Sequence, residues 1–242
     1  MTTVLVVGAT GNTGRPLVEQ LLALGYRVRV IVRSRDRLST PILEHPNSTV
    51  IEASLLDLSD ELMARFVEGC AAVISCLGHN LTFRGLFGSP RMLCTDATRR
   101  LCAAIETVRP ASPMKFILMN TVGVSNPDLQ ESRPLFERAI LSLLRWSLPP
   151  VRDNEAAAAY LNEALGTQSR YLEWCTVRPD TLVNAEVSPY ELTPSPVTPL
   201  FDGRATTRAN VAHFMVELMR DEALWDRWKF KMPVIMNAQN EQ

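Results

Sequence analysis

Short apolar runs alternate with amphipathic segments along this chain. Residues 4–7, 71–77 and 114–119 are apolar almost throughout, which is typical of strands buried on both faces of a parallel sheet. Between such runs, apolar side chains recur at helical spacing, as in residues 93–108. The alternation predicts an α/β fold, a doubly wound and mostly parallel sheet with helices on both faces. The predicted strands cover 4–7, 26–33, 48–53, 71–77, 114–119, 172–178 and 229–236. The first predicted helix begins after residue 14, and the others cover 59–67, 93–108, 135–146, 153–165 and 208–219.

The pattern is less regular after residue 124, where prolines interrupt the chain. No internal repeat and no clean linker is present, so residues 1–242 are predicted to form a single domain. We expect its substrate region to be small, mostly C-terminal, and built from segments 80–92, 124–152 and 184–206.

Composition excludes several classes of protein. The 242 residues carry a net charge of −1, which gives no overall field for nucleic acid or an anionic membrane. No apolar run reaches the roughly eighteen residues of a membrane span, and the N-terminus has no basic stretch typical of a signal peptide. Five dispersed cysteines predict reduced thiols in a cytoplasmic protein, and three distant histidines offer no metal-ligand spacing, so no metal is expected.

The first predicted strand runs directly into a glycine-rich turn. Gly8, Gly11 and Gly14 follow it with the spacing G-x-x-G-x-x-G, and an amphipathic helix begins at once. Backbone N–H groups and the helix dipole at such a junction favour a diphosphate. The glycines permit the tight turn, the close approach of a ligand and the packing of helix on strand. The alternative is a glycine turn that binds nothing.

Basic residues end the second predicted strand, where an NAD-binding protein would carry an acid for the ribose 2′-hydroxyl. Arg33 is the best candidate for a 2′-phosphate, Arg37 comes next, and Ser34 is a further hydrogen-bond donor. NADP is therefore predicted over NAD. The alternative is a solvated basic loop.

Two residues after the third predicted strand have two interpretations. Asp57 is a candidate acceptor for the adenine amino group, and Leu58 is a candidate to pack on the ring. Asp57 is also a candidate N-cap for the helix over 59–67, and the two roles are compatible.

The carboxyl ends of the predicted strands 71–77 and 114–119 are expected to border the ligand, because ligands of open parallel sheets bind outside the carboxyl ends of the strands. His79 follows at the mouth of this edge, where a loop role is the alternative to proton donation. Phe83, Arg84 and Phe87 lie in a loop that either covers a ligand or caps the sheet. Asp153 is a candidate N-cap of the helix over 153–165. The residues expected to border the cofactor are Cys76, Leu77 and Gly78, with Asn80, Asn120 and Thr121 nearby.

Several motifs in this order resemble the atypical short-chain dehydrogenase/reductases, in particular the NAD(P)H-binding, NmrA-like branch that includes flavin reductase/biliverdin-IXβ reductase. The motifs are Val7–Gly14, Val32-Arg33, Asp57-Leu58, Cys76–Gly78, Thr176–Pro179 and Arg208–Ala212, and the likeness spans about residues 3–220. The resemblance implies a Rossmann domain with NADP contacts at Gly8, Thr10, Gly11, Asn12, Thr13, Arg33, Arg37, Asp57, Leu58, Leu77, Gly78, Asn120 and Thr121.

The chain also departs from that family. Tyr160 is followed by Leu-Asn-Glu-Ala, so the Tyr-x-x-x-Lys acid/base pair is missing and Tyr160 is interpreted as a packing residue. Asn120-Thr121 replaces the serine of strand five, and Pro179-Asp180-Thr181 stands where the biliverdin reductase branch has a histidine. An epimerase or alcohol dehydrogenase that uses a tyrosinate base is therefore disfavoured.

Two functions of different classes remain. The first is an NADPH-dependent reductase of a flavin, quinone or similar conjugated small molecule, which mainly needs donor and acceptor held face to face. The proton would come from solvent or from Asp153, His79 or Thr121. Candidate aromatic lining comes from Phe83, Phe87, Trp146 and Phe201, unless these residues belong to the core. The second function is a non-catalytic NADP sensor of the NmrA type that offers the 184–200 loop to a partner. Modification of a nucleotide sugar is a weaker third.

Overall fold

A computed structural model describes residues 2–79, 88–129, 131, 134–199 and 203–239. The strands are β1 (Thr3–Val7), β2 (Arg27–Val32), β3 (Ser48–Glu52), β4 (Ala72–Ser75), β5 (Met114–Met119), β6 (Leu172–Pro179), β7 (Thr181–Val183), β8 (Tyr190–Thr193), β9 (Ala205–Thr207) and β10 (Val234–Asn237). The helices are α1 (Gly14–Ala23), α2 (Thr40–Leu43), α3 (Asp60–Val67), α4 (Leu93–Val108), α5 (Leu135–Ser147), α6 (Pro149–Ala159), α7 (Arg208–Arg220) and α8 (Glu222–Trp228). None of the helices in this described part of the chain is long and apolar enough to cross a bilayer.

Eight strands form one sheet in the order β3-β2-β1-β4-β5-β6-β10-β8. Neighbouring strands are parallel except for β8, which pairs antiparallel with β10 at one edge. Val4 of β1 lies opposite Val28 of β2 on one side and Ala72 of β4 on the other, so the strand order reverses between β1 and β4. A crevice for a ligand is expected at this reversal. The predicted doubly wound α/β fold is confirmed.

Two hydrophobic layers cover the sheet, because successive side chains of a strand point to opposite faces. Val4 and Val6 face the layer formed with α1 and α7, whereas Leu5 and Val7 face the layer formed with α3 and α4. All four side chains are buried. Each buried aliphatic side chain of this size stabilises the fold by about 1.5–3 kcal/mol, and β1 is thereby fixed at the centre of the domain.

The end of the chain differs from the prediction. Residues 229–236 do not form one strand, since β10 covers Val234–Asn237 and the preceding residues follow helix α8. Asp221 is the N-cap of α8 and its side chain accepts a hydrogen bond from the Leu224 N–H. Trp225 and Trp228 bury one face of that helix. The proline-rich loop also contains the short strand β8.

Two predicted caps have other roles. Helix α6 begins at Pro149, so Asp153 lies inside the helix instead of capping it. After Ala159 the helix widens into a π-helical segment, Tyr160–Leu165. The N-cap of α3 is Ser59, whose side chain accepts from the Leu62 N–H. Asp57 instead ends the short 3₁₀ turn Leu55–Asp57.

Candidate functional site

A cavity of about 160 Å³ opens at the carboxyl ends of β1, β2 and β4, next to the reversal of strand order. Pockets for whole small-molecule ligands usually measure about 300–1,000 Å³, so this cavity encloses only part of a dinucleotide-sized ligand. Its lining includes eight of the residues predicted to contact a cofactor: Gly8, Thr10, Gly11, Arg33, Arg37, Cys76, Leu77 and Gly78.

The three glycines of the turn have separate steric roles. A Cβ at Gly8 would lie 2.4 Å from the Cys76 carbonyl oxygen, and the Gly8 φ of +83° is one that other residues rarely adopt. A Cβ at Gly14 would lie 2.2 Å from the Gly8 carbonyl oxygen, where α1 packs on the turn. At Gly11 the nearest atom to a Cβ, among the described residues, would be the Gly8 oxygen at 3.2 Å. Gly8 and Gly14 therefore hold the turn together, and Gly11 leaves room for a ligand.

Two backbone N–H groups at the start of α1 have no acceptor among the described residues. Within the described residues, the N–H groups of Asn12 and Thr13 donate to no backbone or side-chain atom. The Thr13 side chain is buried and makes no capping hydrogen bond, and Asn12 is exposed. Free N–H groups and the positive end of the helix dipole form a binding place for an anion such as a diphosphate. Neither residue belongs to the enclosed lining.

Arg33 and Arg37 place two guanidinium groups at the rim of the cavity. Both residues are exposed, and across the part of the chain that the structure describes neither forms an ion pair or a hydrogen bond through its side chain. Two such cations beside an anion-binding turn can bind a further phosphate. Ser34 lies between them in extended conformation and outside the lining.

The opposite wall comes from residues that the sequence did not single out. Ala53, Ser54, Leu55 and Leu56 line the cavity, whereas the predicted Asp57 and Leu58 do not. Arg100 of α4 holds this wall in place by donating to the carbonyl oxygens of Leu55 at 3.1 Å, Leu56 at 2.6 Å, and Leu58. No local sequence pattern marks that contact, because 42 to 45 residues separate the partners.

Beyond Gly78 the chain brings together two of the three candidate proton donors. His79 Nε2 lies 2.7 Å from Asp153 Oδ2, and their side chains are 5% and 0% exposed. Asp153 also accepts from the backbone N–H groups of Cys94 and Thr95, each at 2.8 Å. The Thr95 hydroxyl donates to the same carboxylate at 2.7 Å. Asp153 therefore accepts hydrogen bonds from the first N–H groups of α4, a helix other than its own.

Asp153 is an ionised group at neutral pH. Burial acts to raise its pKa, but the hydrogen bonds from His79, Thr95 and the two backbone N–H groups outweigh burial, so the pKa lies below its ordinary value. The ionised carboxylate accepts the hydrogen bond, and His79 consequently carries its proton on Nε2.

Cys94 completes a possible ligand set with His79 and Asp153, since one ligand atom from each lies within 4.8 Å of the others. Burial and then the charge of Asp153 raise the pKa of Cys94 well above its ordinary value. The thiol donates to the Leu77 carbonyl oxygen at 3.5 Å. Each Asp153 oxygen already accepts two hydrogen bonds. A protonated thiol and a saturated carboxylate do not suit a metal ion.

Asn120 and Thr121 follow β5 but do not line the enclosed cavity. The Asn120 side chain donates to the Asn154 carbonyl oxygen at 2.9 Å and accepts from the Thr121 N–H at 2.9 Å. The Thr121 hydroxyl oxygen accepts from the Gly123 N–H at 3.3 Å. These two residues therefore shape the loop that follows β5.

Other predicted features lie away from the cavity or outside the described residues. The Tyr160 ring lies under the Arg99 guanidinium at 5.6 Å, and burial raises the pKa of its phenol, as expected of a packing residue. Asp180 accepts from the Arg204 N–H at 3.2 Å and holds the loop that enters β9. Trp146 is 84% exposed and lines no described cavity. Asn80, Phe83, Arg84, Phe87 and Phe201 lie outside the described residues.

Known sequences place the chain in a family. A family profile described as NAD(P)H-binding matches residues 8–222. An uncharacterized chloroplastic protein of Arabidopsis thaliana is 30% identical over 122 residues, which cover 50% of this chain and 42% of that protein. Oxidoreductase AgnL4 of Paecilomyces divaricatus is 26% identical over 150 residues, which cover 58% of this chain and 54% of that protein. The chain thus spans about half the length of these curated relatives.

Solved structures agree on the fold. A short-chain dehydrogenase/reductase of Veillonella parvula in complex with NADP matches with a TM-score of 0.70 at 17% identity, covering 100% of this chain and 97% of that chain. ChuY, an anaerobillin reductase of Escherichia coli O157:H7, matches with a TM-score of 0.69 at 18% identity over 100% of both chains. The glycine turn, the crevice at the strand reversal and the profile match together show that the chain belongs to the NAD(P)H-binding family and has its Rossmann fold.

Proposed function

We propose that this protein is an NADPH-dependent reductase that passes a hydride to a flavin, a quinone or a similar conjugated small molecule. The observation that carries the proposal is the contact of His79 with ionised Asp153, directly after Gly78 of the cavity lining. This contact supplies an oriented imidazole at the edge of the site, so the reaction does not require the Tyr-x-x-x-Lys pair that the sequence lacks.

Preference for NADPH over NADH follows from Arg33 and Arg37. Both guanidinium groups stand at the rim of the cavity without protein partners among the described residues, where a 2′-phosphate would pair with them. The wall of Ala53, Leu55 and Leu56 would take the adenine. The N–H groups of Asn12 and Thr13, which have no acceptor in the described part of the chain, would take the diphosphate.

The chemistry that a nicotinamide cofactor supplies when bound is hydride transfer. The protein then has to hold the acceptor and move one proton. Asp153 accepts a hydrogen bond from the Nε2–H of His79 and fixes the ring, so a catalytic proton would enter or leave the ring at Nδ1. Thr121 is the remaining candidate donor, on the neighbouring strand end.

The acceptor would lie among segments 124–152 and 184–206. The buried Arg178 fastens both segments to the end of β6, because its guanidinium donates to the carbonyl oxygens of Val124 at 2.8 Å and Pro194 at 2.9 Å. The names of the relatives fit a reductase, since one is an oxidoreductase and one structural neighbour is an anaerobillin reductase. The five cysteines are free and buried, which supports the reducing cytoplasm as the compartment.

A panel of acceptors tests the proposal. The protein is mixed with NADPH or NADH and with FMN, a soluble quinone or a linear tetrapyrrole, and the loss of reduced nicotinamide is recorded. We expect oxidation that requires an acceptor and is faster with NADPH at limiting cofactor. Tight binding of NADPH without turnover of any acceptor would overturn the reductase proposal in favour of a non-catalytic NADP sensor of the NmrA type.

A further inference from the structure

Helix α5 presents its apolar residues to solvent. Leu135, Phe136, Leu143 and Trp146 are 79%, 59%, 62% and 84% exposed, whereas the one buried residue of the helix in the described structure is Glu137. An amphipathic helix of a single folded chain normally does the opposite. A surface this apolar is typical of an interaction site.

The exposed apolar residues form one continuous stripe. At about 100° per residue, Leu135, Phe136, Ala139, Leu143 and Trp146 fall within an arc of about 100°. At about 1.5 Å per residue the stripe is about 16 Å long. Arg138 and Arg145 lie together on one flank of it.

The exposed area suits a second copy of this chain. Aromatic side chains carry about 150–250 Å² each, so the four large side chains together expose on the order of 500 Å². Two such stripes facing each other bury about 1,000 Å², which is the lower limit of a specific protein interface. The net charge of −1 produces no strong repulsion between two copies.

The flank of the stripe does not suit an anionic membrane. Arg145 donates through Nε and Nη2 to the two carboxylate oxygens of Glu155, each at 2.6 Å, so its charge is compensated. Arg138 then remains as the cation of this helix, whereas lipid-binding clusters contain about 4–8 basic residues.

We propose that α5 pairs with α5 of a second copy of this chain, antiparallel and around a two-fold axis. In this arrangement Trp146 of one copy packs against Leu135 and Phe136 of the other. Ala139 of each copy lies opposite Leu143 of its partner, so a small residue at the crossing lets the helices approach closely. The proposal does not depend on the reductase activity.

Sedimentation velocity of the purified protein at micromolar concentration tests this pairing. We expect a dimer, and we expect Leu143→Glu and Trp146→Gln each to weaken it roughly thirtyfold, as for an interface residue that contributes about 2 kcal/mol. Val197→Glu is the matched control, since Val197 is also apolar and 59% exposed but lies outside α5. A native far-UV circular dichroism spectrum and a cooperative melting transition would show that the variants fold.

Cysteine cross-linking tests the antiparallel register. A mixture of Ala139→Cys and Leu143→Cys proteins should form the mixed disulfide dimer faster than either protein forms its own, because these two positions face each other in the proposed pairing. The five native thiols are buried and do not compete. A monomeric native protein would overturn the proposal, as would a dimer that Leu143→Glu leaves intact. Flotation of a monomer with anionic vesicles, lost in Trp146→Gln, would assign the stripe to a membrane and overturn it too.

Discussion

His79 Nε2 lies 2.7 Å from Asp153 Oδ2, and the same carboxylate accepts hydrogen bonds from the backbone N–H groups of Cys94 and Thr95 at the start of α4. One buried charge therefore performs two tasks. It accepts hydrogen bonds from the first turn of α4, whose Leu93 lines the cavity, and it orients the imidazole that follows the cavity lining. Fold stability and the proposed proton transfer consequently depend on the same residue.

Substitution of Asp153 by Asn should destabilise the protein by about 2–4 kcal/mol. The amide group has one accepting oxygen, so its NH₂ must face donors that Asp153 now satisfies. Urea unfolding at neutral pH measures the difference. Asp128→Asn is the control, because Asp128 is exposed.

The difference in unfolding free energy between the native protein and Asp153→Asn should depend on pH. The pKa of Asp153 is lower in the folded chain than its ordinary value, so its ionisation stabilises the fold above the unfolded pKa of about 4. That contribution is lost as the pH falls through the folded pKa. Native protein and Asp153→Asn should therefore converge in stability on acidification, and a constant difference would contradict the assignment.

Arg33→Ala should weaken NADPH binding about ten- to a hundredfold and change NADH binding little, because only NADPH carries the 2′-phosphate. Calorimetry with both cofactors gives the two affinities. Arg35→Ala is the matched control, since Arg35 is exposed in the same loop but does not line the cavity. Equal losses for both cofactors would show that Arg33 only shapes the loop.

Alanine at two glycines should separate stability from binding. Gly8→Ala forces a Cβ to within 2.4 Å of the Cys76 carbonyl oxygen at positive φ, and should cost about 2–4 kcal/mol. Gly11→Ala places its Cβ 3.2 Å from the Gly8 oxygen without a positive φ, so it should lower the melting temperature much less than Gly8→Ala and weaken NADPH binding. At Gly123 the nearest atoms lie 3.8 Å away, and Gly123→Ala serves as the control. Equal destabilisation by all three would contradict this division.

Arg178→Met should destabilise the protein by about 3–5 kcal/mol, because Glu131 would keep a buried carboxylate without its partner. Arg178 Nη2 lies 2.8 Å from Glu131 Oε1, with side-chain exposures of 0% and 3%. Arg220→Met removes the exposed i,i+3 pair with Glu217 and should change stability by at most about 1 kcal/mol. Chemical denaturation distinguishes the two variants, and similar small effects would show that the Arg178–Glu131 ion pair is dispensable for stability.

The sequence predicted those features whose signal is local. Apolar runs located β1, β4 and β5, and the glycine spacing located the turn before α1, because periodicity and steric need are written in adjacent residues. Helix α8 was missed although Asp221 marks its start, since Trp225 and Trp228 lie within a mainly charged segment. Its apolar face is only two side chains wide.

The features that the sequence did not predict depend on distant residues. Asp153 meets Thr95 and Cys94 across 58 and 59 positions, so its helix-forming neighbourhood suggested a cap for its own helix instead. Arg100 fixes the wall near Leu56 across 44 positions. Such side chains acquire their role only when the sheet brings α4 beside the 3₁₀ turn and α6.

Steady-state oxidation of NADPH by the native protein and by His79→Asn, with an acceptor that the native protein reduces, tests the central claim most directly. We predict that His79→Asn lowers kcat about a hundredfold while the affinity for NADPH is unchanged. His45→Asn should leave both quantities as they are, since His45 accepts from the Asn47 N–H at 3.1 Å, away from the cavity. A His79→Asn protein that turns over at the native rate would contradict the account.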